Sequence, residues 1–323
     1  MLSAEHIARA VEILRRGGVI ALPTETVYGL AANAEDELAV RRIFAIKGRP
    51  ATHPLIVHVA RAEALTAWAR QVPEAAWRLA SAFWPGPLTL VLARTERATD
   101  AVTGGQDTVA LRVPGHPVAL AVLEALGGGV AAPSANRFGR VSPTTAEHVR
   151  ADLGAEVDLV LDGGPSTVGV ESTIVDLSSG EPVVLRPGGL AVEEVERVLG
   201  RPVPVRTSST VRVSGSLASH YAPRAGVVLA EPAHAAERVE ALRAQGQRVG
   251  VLGPASLILP AGVPRYDVPE DPGGAARVLY TRLREADEQG HDMLVACLPR
   301  AEGLGLAVRD RLARAAAPRS SES

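Results

Sequence analysis

The residues best suited to chemistry gather first between positions 41 and 58, RRIFAIKGRPATHPLIVH. This stretch carries Arg41, Arg42, Lys47, Arg49, His53 and His58, and no acidic residue occurs from Leu38 through Ala62. In a chain of net charge −2 that is a local electropositive site rather than a generally basic surface. Such spacing suits the anionic part of a small substrate. Complementing a helix dipole would explain one cation near a helix C-terminus, but not the acid-free window around both Lys47 and Arg49. A second acid-free run spans Ala125 to Ala146. Its small residues, Ala131, Ala132, Ser134 and Ala135, let backbone approach a ligand closely, and Ser134, Asn136 and Ser142 add neutral hydrogen-bonding groups. Thr144-Thr145-Ala146-Glu147 reads as a capping box whose helix would turn its positive end to the same region. A phosphate-type site fits this run better than a polar surface loop. Arg112 lies mid-strand in TVALRVP (108–114), with no acid from Thr108 to Leu123. It is either an exposed-face charge or a ligand clamp.

The elements that must position these residues follow from periodicity and punctuation. Ser3 caps a helix that stops at Gly17-Gly18, and VIAL (19–22) is a short buried strand. TETVYGL (24–30), with Glu25 and Tyr28, reads as a strand end lining a cleft, or else as an edge strand with outward threonines. A helix over 36–47 ends at Gly48, and Pro50 disfavours helical geometry at Arg49. Strands are expected at 54–59, after the Pro85-Gly86-Pro87 turn at 88–93, and at 108–114. Two weaker helical segments lie between the first two. A helix at 116–126, strands at 158–164, 171–177 and 183–188, and a helix at 192–200 complete a first domain, 1–205. Glu171 and Ser172 enter the second of those strands and Arg186 leaves the third. The acid-free Pro/Ser/Thr-rich run ending in HYAPR is the linker, 206–225. From Gly226 to 316, strands alternate with helices near 235–246, 273–289 and 303–316, which implies a small open parallel α/β sheet. Residues 317–323 are expected to be disordered.

Composition narrows the function. At 323 residues, 46% hydrophobic and 22% charged, the chain suits two ordinary cores. Its net charge gives no global attraction to nucleic acid, and 3% aromatics argues against a stacking platform for bases. The lone Cys297 rules out an intramolecular disulfide or a multi-cysteine zinc site and fits a reducing cytoplasm. The N-terminus lacks the apolar core of a signal peptide, and no apolar run approaches a membrane span, so a soluble intracellular protein is expected. There is no GxxxxGK[ST], HExxH or GxSxG, and no Cys/His cluster to bind zinc. Gly127-x-Gly129-x-x-Ala132 only mimics a dinucleotide fingerprint, because Pro133 interrupts the helix it should open.

The first 200 residues resemble the YrdC/Sua5 family of threonylcarbamoyl-AMP synthases. The matching stretches are PTETVYGL (23–30), KGRP (47–50), HPLIVH (53–58), FWPGPLT (83–89), ALRVP (110–114), APSAN (132–136), Ser142-Pro143-Thr144, GVESTIVD (169–176) and LRPG (185–188). HYAP (220–223) and the trailing α/β domain point to the two-domain Sua5 type, although SGSLAS stands where that family usually shows a Pro-Gly-Met-like run. The resemblance implies an open twisted mixed α/β sheet with a large concave face, followed by a smaller Rossmann-like domain. It implies a nucleotidyltransferase that converts L-threonine, bicarbonate and ATP, with Mg²⁺, to threonylcarbamoyl-AMP and pyrophosphate. The product would serve threonylcarbamoyl transferase proteins that modify adenosine 37 of tRNA, with tRNA contacted only indirectly and no membrane involved. Carried over, Thr26, His58, Arg112, Ala132 (by its backbone) and Ser172 would hold threonine. ATP would meet Arg49, His53, Thr108, Ser134, Asn136, Ser142 and Arg186, with Tyr221 and Arg224 closing from the linker. Lys47 and Arg49 would be the catalytic cations, and no side chain is expected to hold a metal. The alternatives are a non-catalytic RNA-binding module, disfavoured by charge and aromatic content, and a hydrogenase-maturation type, disfavoured by the missing acylphosphatase-like and zinc-finger segments.

Overall fold

The computed structural model describes residues 3–206, 210–215 and 220–318. The chain divides into two compact units, Met1–Phe138 with Ser142–Ser216 and Gly139–Val141 with Leu217–Ser323. The expected disordered tail lies, from residue 319 on, outside the described residues, as do 207–209 and 216–219 of the expected linker.

In the first unit nine strands form one mixed sheet among the described residues. They are β1 (Ile20–Leu22), β2 (Gly29–Asn33), β3 (Ile56–His58), β4 (Leu88–Ala93), β5 (Thr108–Arg112), β6 (Val130–Ala131), β7 (Leu159–Val160), β8 (Thr173–Asp176) and β9 (Val183–Arg186). Their order is β7-β1-β2-β6-β3-β5-β4-β8-β9. Strands β3 and β5 are parallel, as are β4 and β8, while β2, β6 and β9 pair antiparallel to their neighbours. Helices Ala4–Arg15 and Pro117–Leu126 pack together, and Val11, Leu14, Val122 and Leu123 join Ile20 and Leu22 in one apolar core. Helix Glu37–Lys47 starts where Asp36 accepts from the amides of Leu38 and Ala39, and it ends at Gly48 in a left-handed conformation, φ 62°. That stop turns the chain at Lys47, so the residues after it leave the helix axis.

Two local expectations change. TETVYGL leads into a strand end and not an edge strand: residues 24–28 form irregular buried backbone, and Gly29-Leu30 open β2, which lies between β1 and β6. The Thr24 hydroxyl donates to the Val27 carbonyl (2.6 Å) and accepts from the amides of Thr26 and Val27, a local turn that competes with ladder pairing. The helix after Val141 is capped by Thr145, whose hydroxyl accepts from the His148 amide, and not by a Thr144–Glu147 box. The Thr144 amide instead donates to His148 Nδ1, 3.2 Å, and the helix starts one residue on.

The chain at the expected domain–linker boundary pairs with β9 through an isolated bridge between Val205 and Val184. Val184 donates to the Pro204 carbonyl and Arg206 to the Val184 carbonyl. In the second unit β10 (Gly226–Ala230), β11 (Val249–Gly253), β12 (Arg265–Asp267) and β13 (Met293–Cys297) form a parallel sheet of order β10-β13-β11-β12. Helices Ala235–Ala244, Pro272–Glu288 and Gly305–Ala316 cover it. The short, polar β12 had no sequence signature, since Arg265 and Asp267 are exposed and only Tyr266 turns inward. Among the described residues no helix is long and apolar enough to cross a membrane.

Candidate active site

Three adjoining clusters in the first unit hold most of the residues singled out by sequence. The first centres on Arg112, at the end of β5 and 3% exposed, so it is not an exposed-face charge. Its Nη2 donates to Glu25 Oε1 at 2.6 Å, Nη1 to Thr26 Oγ1 at 2.9 Å and Nε to the Gly86 carbonyl at 3.1 Å. A buried guanidinium met on three sides in this way is fixed in direction before any ligand arrives. His58 stands opposite Arg112 in the parallel register of β3 and β5. Burial, and then the Arg112 charge, push its pKa down to about 3, so the ring is neutral. Ala132 is tied to the same strand by its amide, which donates to the Ile56 carbonyl. Two buried atoms of this cluster, His58 Nδ1 and Glu25 Oε2, have no hydrogen-bond partner among the described residues. Such atoms cost roughly 1–3 kcal/mol each, so a ligand able to satisfy them gains when the side chains turn to meet it.

The second cluster lies at β8 and β9. Arg186 donates through Nη2 (2.8 Å) and Nε (3.3 Å) to the Ser172 carbonyl and through Nη1 to the Ser214 carbonyl at 2.8 Å. The Ser172 hydroxyl sits 2.7 Å from Thr89 Oγ1, and the Ser142 hydroxyl donates to Glu171 Oε1 at 2.6 Å. Gly188 lets this backbone pack, since a β-carbon there would overlap the Glu171 carbonyl oxygen and the Ser172 backbone. The Pro85-Gly86-Pro87 turn joins the two clusters, with Gly86 accepting from Arg112 and Pro87 accepting from the Thr173 amide.

The third cluster is cationic. Lys47 leaves the end of its helix and its Nζ donates to the carbonyls of Ser134 and Asn136, both at 2.5 Å, with Asn136 Oδ1 at 3.4 Å. Neutralising its own helix terminus is therefore not its role. Burial and the nearby Arg49 charge hold its pKa well below the usual lysine value. Arg49 donates to the Pro54 carbonyl and lies 5.8 Å from the centre of the Phe138 ring, and the His53 ring meets the same ring at 5.5 Å. Burial, with the charges of Arg49 and Arg212, lowers the His53 pKa as well. The backbone of Tyr28 ties the loops together, accepting from the Ala135 amide and donating to the Pro143 carbonyl. Thr108 opens β5, half-buried, opposite Ala93.

Tyr221 and Arg224 belong to the second unit. Tyr221, at φ 61°, buries its ring against Tyr280 (5.8 Å between centres) and beneath the Arg311 guanidinium. The Arg224 amide donates to the Asp287 carboxylate, and its side chain is exposed. Glu25 was expected to line a cleft but not to anchor Arg112, and Thr89, Phe138 and Glu171 carried no expected role. Acid-free windows point away from them, since two of the four are acids that anchor Arg112 and Ser142. Their signal was each carboxylate's place inside a polar Glu-Ser/Thr pair. Among the described residues no group of three or more His, Cys, Asp or Glu side chains could hold a metal ion.

The Sua5/YciO/YrdC family, described as "Telomere recombination", matches residues 12–188, and the family "Threonylcarbamoyl-AMP synthase, C-terminal domain" matches 190–317. The chain belongs to the Sua5/YciO/YrdC family. Among its relatives, a threonylcarbamoyl-AMP synthase of Pyrococcus abyssi is 44% identical over 317 residues, 95% of this chain and 92% of its own. One of Bacillus subtilis is 41% identical over 328 residues, 97% and 94% of the two chains. The crystal structure of P. abyssi Sua5 complexed with L-threonine superposes with a TM-score of 0.93 at 41% identity, covering 98% of this chain and 95% of that one. Escherichia coli YciO, at 31% identity, superposes with a TM-score of 0.52 over 58% of this chain and 91% of its own. The mixed sheet of the first unit and the small parallel sheet of the second are thus both those of the two-domain Sua5 type.

Proposed function

We propose that this protein is a threonylcarbamoyl-AMP synthase, a nucleotidyltransferase that joins L-threonine, bicarbonate or CO₂, and ATP. The observation that carries the reading is kinship along the full length of both units to synthases of that name, with the cationic, hydrogen-bonded clusters in the matching unit. In this reading the Arg112 cluster takes L-threonine. The guanidinium pairs with the substrate carboxylate, while Thr26, neutral His58, Ser172 and the Ala132 backbone meet its hydroxyl and amine. The unpartnered Glu25 and His58 atoms support a ligand rich in hydrogen-bond donors and acceptors, as threonine is.

Arg49, His53, Thr108, Ser134, Asn136, Ser142 and Arg186 form the ATP side, with Lys47 beside the phosphates. Tyr221 and Arg224 are proposed nucleotide contacts from the second unit. Mg²⁺ enters as part of the nucleotide substrate. The residues present are chiefly cations and neutral donors, which suit a triphosphate rather than a protein-held metal. The threonine amine adds to CO₂ and loses a proton, giving a carbamate. A carbamate oxygen then attacks the α-phosphorus, the α–β P–O bond breaks, and pyrophosphate leaves. The chain supplies alignment and positive charge for this in-line transfer and needs no covalent nucleophile. The adenylate would pass to threonylcarbamoyl transferase proteins acting on tRNA, in the cytoplasm. Mass spectrometry of the product from ATP, L-threonine and bicarbonate tests the reading. Threonylcarbamoyl-AMP is expected, and its absence under threonine-dependent conditions with folded protein overturns it.

A further inference from the structure

The second unit carries a cavity that the proposed synthase chemistry leaves unused. Its four strands are parallel, so their carboxyl ends share one edge. A cavity of about 310 Å³ lies there, walled by residues following every one of the four strands. The loop after β10 leads to helix Ala235–Ala244, which packs on β11 and β13, whereas the loop after β13 leads to helix Gly305–Ala316, which packs on β10. Neighbouring strands therefore send the chain in opposite directions, the arrangement that opens a ligand crevice at the carboxyl edge of a parallel sheet.

The lining decides what such a crevice could hold. Each strand end is followed within two residues by a proline, Pro232, Pro254, Pro269 and Pro299, and all four line the cavity. Proline fixes the backbone and removes an N–H, so the mouth is preformed and lacks the amide nest that binds phosphate. Leu252, Leu279, Val308 and Leu312 make an apolar floor. Of the charged groups, Glu231 is paired with Arg309 (3.2 Å), which also donates to the Pro299 carbonyl. Glu270 accepts from the Ser256 hydroxyl at 2.7 Å and forms no ion pair among the described residues. Arg300 extends from the rim, 88% exposed and 3.9 Å from Glu302.

We propose that this cavity binds a compact apolar molecule bearing one ammonium group, its body on the leucine and valine floor and its ammonium on Glu270. The site goes beyond the synthase reading and does not rest on it. The ligand is either a simple amine or an apolar amino acid whose carboxylate meets Arg300. Isothermal titration calorimetry on the full chain tests this with isopentylamine, L-leucine and isovalerate. Isopentylamine and L-leucine are expected to bind and isovalerate to fail. Glu270→Gln should weaken binding by about tenfold, the size of one charge-assisted hydrogen bond. Ser256→Trp, at an exposed rim position, should block it, with circular dichroism confirming that both variants fold. L-leucine binding tighter than isopentylamine, with the difference lost in Arg300→Gln, identifies the amino acid; equal or weaker binding identifies the amine. The proposal is overturned by isovalerate binding as well as isopentylamine, by binding unchanged in both variants, or by no heat from either ammonium compound up to about 10 mM.

Discussion

Arg112 illustrates how a charge read as ambiguous in sequence gains a definite task from its neighbours. Glu25, Thr26 and the Gly86 carbonyl fix the direction of its guanidinium, which is proposed to pair with the threonine carboxylate. Arg112→Lys keeps the charge and loses the fork. It is expected to raise the KM for threonine by about tenfold or more while the KM for ATP changes little, as read by initial rates of pyrophosphate release. Lys47→Ala and Arg49→Ala remove charge where the triphosphate is proposed to lie. Each is expected to lower kcat by about 10²–10³ without loss of fold, and a folded variant of normal rate would remove these residues from the site. His58 gives a pH prediction. Between the ordinary histidine value and about 3 the unfolded chain binds a proton at this position and the folded chain does not. Stability contributed by His58 is therefore present above pH 6.5 and is lost as pH falls through that window. Urea unfolding at pH 7 and pH 5 should show a loss about 2 kcal/mol smaller in His58→Asn than in the natural chain.

At the scale of elements, the site depends on turns more than on strands. Helix Glu37–Lys47 was readable from its Asp36 cap and Gly48 stop, but where Lys47 points was not. Its Nζ is directed by carbonyls nearly ninety residues away, at Ser134 and Asn136. Residues 24–28 misled because threonine suits strands by propensity, whereas here the Thr24 hydroxyl closes a turn on Val27. The LRPG turn is the tightest approach in the second cluster. Gly188→Ala places a methyl against the Glu171 and Ser172 backbone and is expected to cost about 1–3 kcal/mol, measured by thermal or urea unfolding. Because the displaced residues include Ser172, the same variant should lose synthase activity beyond its loss of stability.

On the scale of the molecule, the first unit draws on chain past its expected boundary. The Ser214 carbonyl accepts from Arg186, the Val184 carbonyl accepts from the Arg206 amide, and Gln106 bonds Arg212 in both directions. A chain ending at residue 205 loses the Ser214 and Gln106 contacts, and one ending at 215 keeps them. The shorter chain is expected to melt lower and to bind ATP more weakly, by scanning calorimetry and titration calorimetry. The sequence by itself determined what local rules encode. Those were the alternation of strands and helices, the parallel order implied after Gly226, most caps and stops, and the acid-free windows on which the proposed anion site rests, together with the motifs that carry the family. Tertiary structure alone decided which of those residues meet. Nonlocal pairing across β3, β5 and β6 set His58 beside Arg112 and tied the Ala132 amide to Ile56 of β3. It also decided that Glu25 and Glu171 would anchor other side chains rather than face solvent. The physical reason is that period, capping and composition act over a few residues. The direction of a buried charge is set by whichever donors and acceptors the folded chain brings within about 3 Å of it.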